Sequence, residues 1–232
     1  MKNIVFIPTY NERKNISILI KKILNLELNF DILIIDDNSQ DGTRGIIDKL
    51  KKNNKNIYTI YRNQKLGIGS AHKVALKWCY RKKYKIIISM DGDGTHDPKY
   101  IPNLLKKSKN YDIISTTRFK KERSLKDWPV WRIMLTKLRH IILVNLLSLE
   151  FDASGAFRLL NSTKVKLRHL LQAKNNSYSF FWESLFILKY SKYSIYEIPI
   201  SLNARKSGSS KMRTMDILGA LSYLVIFFFK RK

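Results

Sequence analysis

The sequence predicts an α/β fold: a doubly wound, mostly parallel sheet with helices on its faces. Three observations carry this expectation. Short apolar runs recur at 3–7, 30–35, 57–61 and around the isoleucines 86–88, each bounded by polar or glycine-containing turns, the pattern of strands buried on both faces. Between them, apolar residues return at helical spacing. The crossovers are long enough for parallel pairing, and such connections are almost always right-handed.

Taken in order, 3–7 is the first strand and Pro8-Thr-Tyr-Asn-Glu12 a polar turn at its carboxyl end. Residues 15–26 place Ile16, Leu19, Ile20, Ile23 and Leu24 on one helical face, with lysines opposite. A second strand at 30–35 runs into Asp36-Asp37-Asn-Ser. A helix over about 43–52 and a strand at 57–61 follow. Gly67-x-Gly69 precedes a helix reaching about Tyr80. Its backbone N–H groups suit a phosphate, but it lacks the third glycine of the dinucleotide fingerprint, and a plain helix-start turn explains it equally well.

Further on, 98–107 reads as a helix, 112–116 as a strand followed by Arg118, and 120–127 as a charged loop. Trp128-Pro-Val-Trp131 opens a long helix to about Leu149 whose aliphatic residues run almost all round, a core helix or one with a face on lipid. Asp152-Ala-Ser-Gly-Ala-Phe-Arg158 is a small-residue turn with one acid and one base. Another apolar helix begins at Phe180-Phe-Trp-Glu183, 196–200 is a strand, and 205–211 is a Gly/Ser loop carrying Arg205 and Lys211. Residues 217–229 hold no charge and precede Lys230-Arg-Lys232. Thirteen residues fall short of the roughly 20 that cross a bilayer, so an interfacial anchor, re-entrant hairpin or partner-binding helix is expected.

Composition narrows the function. Forty-four Lys plus Arg against eighteen Asp plus Glu give +26, which implies an anionic partner: nucleic acid, an anionic membrane surface or phosphorylated substrates. The charge is spread along the chain rather than clustered, which argues against nucleic acid. The single cysteine, Cys79, excludes an internal disulfide framework and fits a reducing compartment. The chain enters a strand pattern at once, so no signal peptide is expected.

The chemistry centres on Asp91-Gly92-Asp93, at the end of the isoleucine strand. Alternate strand residues face opposite ways, but the glycine and the strand end let both carboxylates turn toward one point. Two hard oxygen donors suit Mg²⁺ or Mn²⁺, with water and substrate phosphate oxygens completing the shell. An ordinary acidic turn is the alternative.

Together these motifs closely resemble the family-2 glycosyltransferases of GT-A fold, especially the short polyprenol-phosphate (dolichyl-phosphate) mannosyltransferases, over residues 8–212. The resemblance implies that Pro8, Tyr10 and Glu12 hold the nucleotide base, and that Ile35 and Asp37 contact ribose or base. It implies that Asp91, Gly92 and Asp93 form the metal- and nucleotide-sugar-binding Asp-x-Asp, with Thr95 as a further metal ligand. Arg118 and Arg132 would position the acceptor phosphate, and Arg205 and Lys211 would close on the diphosphate. Asp152-x-Ser-Gly-x-x-Arg158 and Glu183 also match family motifs. The implied domain plan is a catalytic unit over 1–212, including an acceptor-side helix at about 128–149, and an apolar membrane-associating segment over 213–232.

The implied reaction is metal-dependent, inverting transfer of mannose from GDP-mannose to a polyprenyl phosphate at the cytoplasmic face of a membrane. A peripheral attachment and a small membrane-protein partner fit this reading. The same fold using UDP-glucose or another UDP-sugar, or a glycan acceptor, is the nearest rival. A basic, non-enzymatic membrane- or nucleic-acid-binding protein is the rival of another class, and it leaves the carboxylates without a role.

Overall fold

In the computed structural model, which describes residues 2–125, 128–202 and 214–230, seven strands form one sheet in the order β3-β2-β1-β4-β6-β5-β7. The strands are β1 (Asn3–Thr9), β2 (Phe30–Asp36), β3 (Ile57–Tyr61), β4 (Ile86–Ser89), β5 (Ile113–Thr117), β6 (Arg158–Asn161) and β7 (Ile195–Pro199). The helices are α1 (Ile16–Leu24), α2 (Thr43–Asn53), α3 (Ile68–Arg81), α4 (Ile101–Lys107), α5 (Val130–Leu147), α6 (Leu167–Leu171), α7 (Phe180–Tyr190) and α8 (Thr214–Lys230). All pairings are parallel except those of β6, which runs antiparallel to both β4 and β5.

Period-two alternation divides the strand residues between two cores. Val5, Ile7, Ile32 and Ile34 pack with Ile16, Leu19, Ile20 and Ile23 of α1 and Ile47 of α2. Ile4, Phe6, Leu33 and Ile35 point the other way, onto Ala71, Ala75 and Leu76 of α3 and Phe180 and Phe181 of α7. Helices on both faces explain why these strands are apolar throughout rather than alternating polar and apolar.

The expected helices and strands are present, with ends shifted by a residue or two. The helix expected over 98–107 splits into a short 3-10 turn at Pro98–Tyr100 and α4. Neither β6 nor α6 is foreseen by the sequence reading. β6 has only four residues and begins and ends on polar side chains. The segment containing Arg158 is therefore not only a turn but the start of a central strand.

α5 buries Thr136, Leu143 and Leu147, while Val130, Trp131, Met134, Leu135, Leu138 and Ile141 are exposed. α8 packs on α7, Phe227 meeting Trp182 at 5.0 Å and Phe186 at 5.2 Å between ring centroids. Leu224 joins Leu143 and Leu147 of α5 in the same cluster. Among the described residues, no helix is long and apolar enough to cross a membrane.

Candidate active site

The strand order reverses direction between β1 and β4, because the chain winds outward first through β2 and β3 and then returns to the other side of β1. Open α/β sheets bind ligands at such a switch point, outside the carboxyl ends of the strands. Three segments emerge there together. β1 and β2 end in register at Thr9 and Asp36, and the Asp37 N–H donates to the Thr9 carbonyl at 2.9 Å. Beside them, the Met90 N–H donates to the Phe6 carbonyl and leads the chain into Asp91.

The first turn is fixed by the second. The Asn11 N–H donates to Ser39 Oγ and the Gln40 N–H to Asn11 Oδ1, both at 2.8 Å. Buried Glu12 donates its N–H to Thr43 Oγ1 and accepts from Asn15 Nδ2 at 2.7 Å. Pro8 and Tyr10 are half-buried, and Lys65 Nζ lies 4.6 Å from the Tyr10 ring centre. Ile35 is fully buried in the α3-side core, so its side chain does not reach the cleft; any nucleotide contact there falls to backbone.

Asp36 and Asp37 have separate partners. Asp36 accepts from the Ser39 N–H and from Arg44 Nε at 2.8 Å. Asp37 forms a bidentate pair with Arg62, whose Nη1 also donates to Ser70 Oγ at 2.8 Å. Burial pushes the Asp37 carboxyl above its ordinary value, against the pull of Arg62. Arg62, which directly follows β3, is a cleft residue that the sequence reading passed over. Its position after a strand at the sheet's carboxyl edge was the available signal.

The glycines after it serve packing. α3 starts at Ile68. A Cβ on Gly69 would lie 2.6 Å from Phe180 Cβ, and one on Gly67 would overlap the Asn176 carbonyl. The helix-start reading of this turn therefore accounts for both glycines without a phosphate.

In the Asp-Gly-Asp turn, a Cβ on Gly92 would meet the Pro8 carbonyl oxygen at 3.2 Å, so the turn lies directly against the first loop. Asp91 is about one-third exposed at its side chain. Asp93 Oδ1 accepts from the Thr95 N–H at 3.0 Å and from Thr95 Oγ1 at 2.7 Å. Thr95, expected as a metal ligand, thus gives its hydroxyl proton to the Asp93 carboxylate. Beneath the turn, His96 Nδ1 accepts the Asp91 N–H at 3.0 Å. Its ring packs on Phe157, 5.3 Å between centroids. Burial lowers His96 to about 4, so at neutral pH it is the uncharged tautomer with Nε2 protonated.

β6 brings a second group of charges to this spot. Because it runs antiparallel to β4, pairing Ser89 with Arg158, the turn before it lies near the carboxyl end of β4. Arg118, just past β5, donates Nε to Asp152 Oδ2 at 2.8 Å and Nη2 to Asp152 Oδ1 at 2.6 Å. Expected at the acceptor phosphate, Arg118 is instead found 9% exposed and committed to this carboxylate. It still lies close enough to Asp91 to feel its charge. Burial by itself would raise Asp152, but the charge and hydrogen bonds of Arg118, helped by Arg139, hold it down at about 2.

Arg139 of α5 donates to Ser154 Oγ at 2.7 Å, and Arg158 Nη2 donates to the Ala153 carbonyl at 2.8 Å. Burial lowers both guanidiniums to about 10. Glu197 accepts from the Asp152 N–H and pairs with Lys120 at 2.9 Å. Arg132 is exposed and lies over the Trp128 ring, 3.9 Å from its centre. Glu183 is structural: its carboxylate accepts from the N–H groups of Lys174 and Asn175 and from the Tyr223 hydroxyl at 2.9 Å. Arg205 and Lys211 lie outside the described residues.

Two carboxylates at one turn, a neutral histidine holding that turn and a basic cluster beside it form a site able to hold a cation and an anionic substrate together. Among the described residues no three His, Cys, Asp or Glu side chains converge as a metal cluster. A cavity of about 170 Å³ between Asn175, Tyr178, Met215 and Gly219 lies at α8, apart from these residues.

The comparisons with known proteins agree on the fold and the family. The profile described as glycosyl transferase family 2 matches residues 4–167. The chain is 27% identical over 223 residues to the polyprenol monophosphomannose synthase of Mycolicibacterium smegmatis, covering 95% of this chain and 84% of that one. It is 26% identical over 213 residues to the undecaprenyl-phosphate mannosyltransferase of Micrococcus luteus, covering 91% and 88%. Among solved structures, S. aureus TarS 1-349 aligns with a TM-score of 0.57 at 17% identity, covering 97% of this chain and 65% of that one. The mannosyltransferase PcManGT from Pyrobaculum calidifontis, solved with GDP-Man and Mn²⁺, aligns with a TM-score of 0.57 at 14% identity, covering 98% and 70%. These structural likenesses establish the fold alone. This chain is a glycosyltransferase, and it belongs to glycosyl transferase family 2.

Proposed function

We propose that this protein transfers mannose from GDP-mannose to a polyprenyl phosphate, with inversion at the anomeric carbon, at an anionic membrane surface. The observation that carries the reading is the placement of Asp91 and Asp93 at the switch point, next to a cluster in which cations outnumber carboxylates. The two relatives matched over most of the chain are, by name, a polyprenol monophosphomannose synthase and an undecaprenyl-phosphate mannosyltransferase.

Asp91 and Asp93 fit a hard divalent ion, Mg²⁺ or Mn²⁺: both are carboxylates, both lie on one short turn, and one is oriented by Thr95. Bound there, such an ion neutralises the charge that develops on a departing diphosphate. The first two loops hold the nucleotide through Tyr10, Glu12 and the Asp37–Arg62 pair. His96 fixes the backbone at Asp91, so the carboxylates meet the donor without rearranging. The acceptor phosphate is already an anion near neutral pH, so its oxygen attacks C1 of the sugar without a general base. The bond from C1 to the GDP oxygen breaks on the opposite face, and GDP leaves. Arg205 and Lys211, which precede α8 in the sequence, are assigned to that leaving group.

Membrane association is supported by +26 overall and by the exposed apolar side chains of α5 and α8, among them Trp131, Met134, Leu138, Leu218, Ile226 and Phe229. A helix with such a face lies in the interface plane, drawn to anionic lipid. In this plan, residues 1–212 are the catalytic unit and 213–232 the membrane-associating segment.

The test is transfer from radiolabelled GDP-mannose, in parallel with UDP-glucose, to a short polyprenyl phosphate, with Mg²⁺, Mn²⁺ or EDTA. Cation-dependent lipid labelling from GDP-mannose is expected. Asp91→Ala and Asp93→Ala should each lower it at least about 100-fold. Labelling from UDP-glucose alone would move the donor, and full activity in either variant would overturn the site.

A further inference from the structure

The basic cluster beside the Asp-Gly-Asp turn is unequal in its pairing. Arg118 is bound in bidentate fashion to Asp152, and Lys120 is paired with Glu197. Arg158 is buried and directed at the Ala153 carbonyl and Ser184 Oγ. Arg139 differs from these. Among the described residues it donates to a neutral hydroxyl, Ser154 Oγ at 2.7 Å, and no carboxylate lies within ion-pair distance of it. That same hydroxyl is also hydrogen-bonded by Arg118, so two guanidiniums share one oxygen.

The Ser154 hydroxyl in turn donates to Asp152 Oδ1 at 3.2 Å, so the single carboxylate of Asp152, already bidentate with Arg118, is the charge that Arg139 must share. Arg139 is half-buried, which removes water from a charge, and Arg118 repels it, so its proton is held less tightly than usual. Around Asp152 and Glu197 the four cations Arg118, Arg139, Arg158 and Lys120 outnumber these two carboxylates by two. Arg118 is near enough to Asp91 for their charges to interact, so the surplus lies next to the turn assigned to the donor.

Position on α5 adds direction. Arg132, Thr136 and Arg139 are spaced four and three residues apart and therefore share one face of the helix, whereas Met134, Leu135, Leu138 and Ile141 are exposed. A lipid phosphate whose chain lies along the apolar side would present its headgroup to the polar stripe, with Arg139 at the inner end and Arg132 at the outer.

We propose that Arg139 binds the acceptor phosphate directly, and that the Arg118–Asp152 pair is a positioning device that holds Ser154 and the guanidinium of Arg139 toward it. The inference rests on the reading that the acceptor is a polyprenyl phosphate. A planar guanidinium suits two phosphate oxygens at once, and its displacement from Ser154 onto the phosphate would relieve the crowding with Arg118.

The experiment compares wild type, Arg139→Ala and Arg139→Lys by steady-state transfer, with KM measured separately for polyprenyl phosphate and GDP-mannose. Co-sedimentation with phosphatidylcholine vesicles carrying either polyprenyl phosphate or polyprenol, and thermal melting, are measured alongside. The expected result is an acceptor KM raised about tenfold or more in Arg139→Ala, partly recovered in Arg139→Lys, with GDP-mannose KM and melting temperature unchanged. The preference of wild type for phosphate-bearing vesicles over polyprenol vesicles should disappear in Arg139→Ala. An acceptor KM within twofold of wild type overturns the inference, as does a rise in both KM values together with a lower melting temperature. Wild-type protein that transfers from neither donor overturns the proposed function instead, and the vesicle comparison then decides whether Arg139 reads the phosphate.

Discussion

Arg118 Nε and Nη2 bind the two oxygens of Asp152 at 2.8 and 2.6 Å, joining the end of β5 to the entry of β6 with both side chains buried. Removing one partner leaves an uncompensated interior charge, which costs about 3–5 kcal/mol. Asp152→Ala is therefore expected to lower unfolding stability by that amount, read from denaturant midpoints at constant slope. Arg118→Met in the same background should restore part of the loss.

The same pair fixes an acid limit. Asp152 is held at about 2 against an ordinary 3.8. Its contribution of about 2 kcal/mol is complete above pH 4 and lost as pH falls from there toward 2. The acid unfolding curve of Asp152→Asn should lack that component. An unchanged slope between pH 4 and 2 would contradict the assignment.

His96 holds the backbone of the Asp-Gly-Asp turn through a single acceptor, Nδ1, to the Asp91 N–H. His96→Ala leaves that N–H without its partner and opens space against Phe157. A loss of about 1–3 kcal/mol in stability is expected, with kcat reduced about tenfold and little change in substrate KM. His96→Asn, which retains an acceptor oxygen, should recover part of the rate. Equal activity in the two variants would show that the hydrogen bond is not the cause.

Two glycines should respond with opposite signs. Gly69→Ala drives a methyl into Phe180 Cβ and is expected to cost about 1–3 kcal/mol. Gly45 in α2 is exposed, with nothing within 4 Å of an added Cβ. Gly45→Ala should stabilise by about 0.5–1 kcal/mol through helix propensity and the restricted unfolded chain. Melting temperatures of the two single variants check both signs, and an unchanged value for Gly69→Ala would contradict the packing role of that glycine.

Vesicle binding tests the exposed faces of α5 and α8. Affinity for vesicles with anionic lipid should exceed that for neutral vesicles and fall as salt rises. Trp131→Ser combined with Phe229→Ser should weaken binding to both vesicle types, since both side chains are largely exposed and contribute apolar area rather than charge. Binding that is insensitive to both changes would place the membrane contact elsewhere.

The chain's local pattern determined much of this protein. The continuous apolar runs at 3–7 and 30–35 marked strands buried on both faces, and strand–turn–helix spacing pointed to the parallel winding. The Asp-x-Asp turn followed from Ile86, Ile87 and Ile88 running into glycine. Local pattern did not reveal the partners those side chains take. β6 is four residues long with polar ends, so hydrophobic periodicity passes over it. Yet its antiparallel insertion between β4 and β5 carries Asp152, Ser154 and Arg158 to the side of Asp91. Arg62 finds Asp37 across 25 residues, Glu183 finds Tyr223 across 40, and Arg139 reaches Ser154 from a helix that otherwise reads as apolar. Sequence encodes periodicity, because that depends on neighbours a few bonds apart. The pairing of buried charges depends on where distant segments come to rest, because each buried charge must find its compensation in the packed interior.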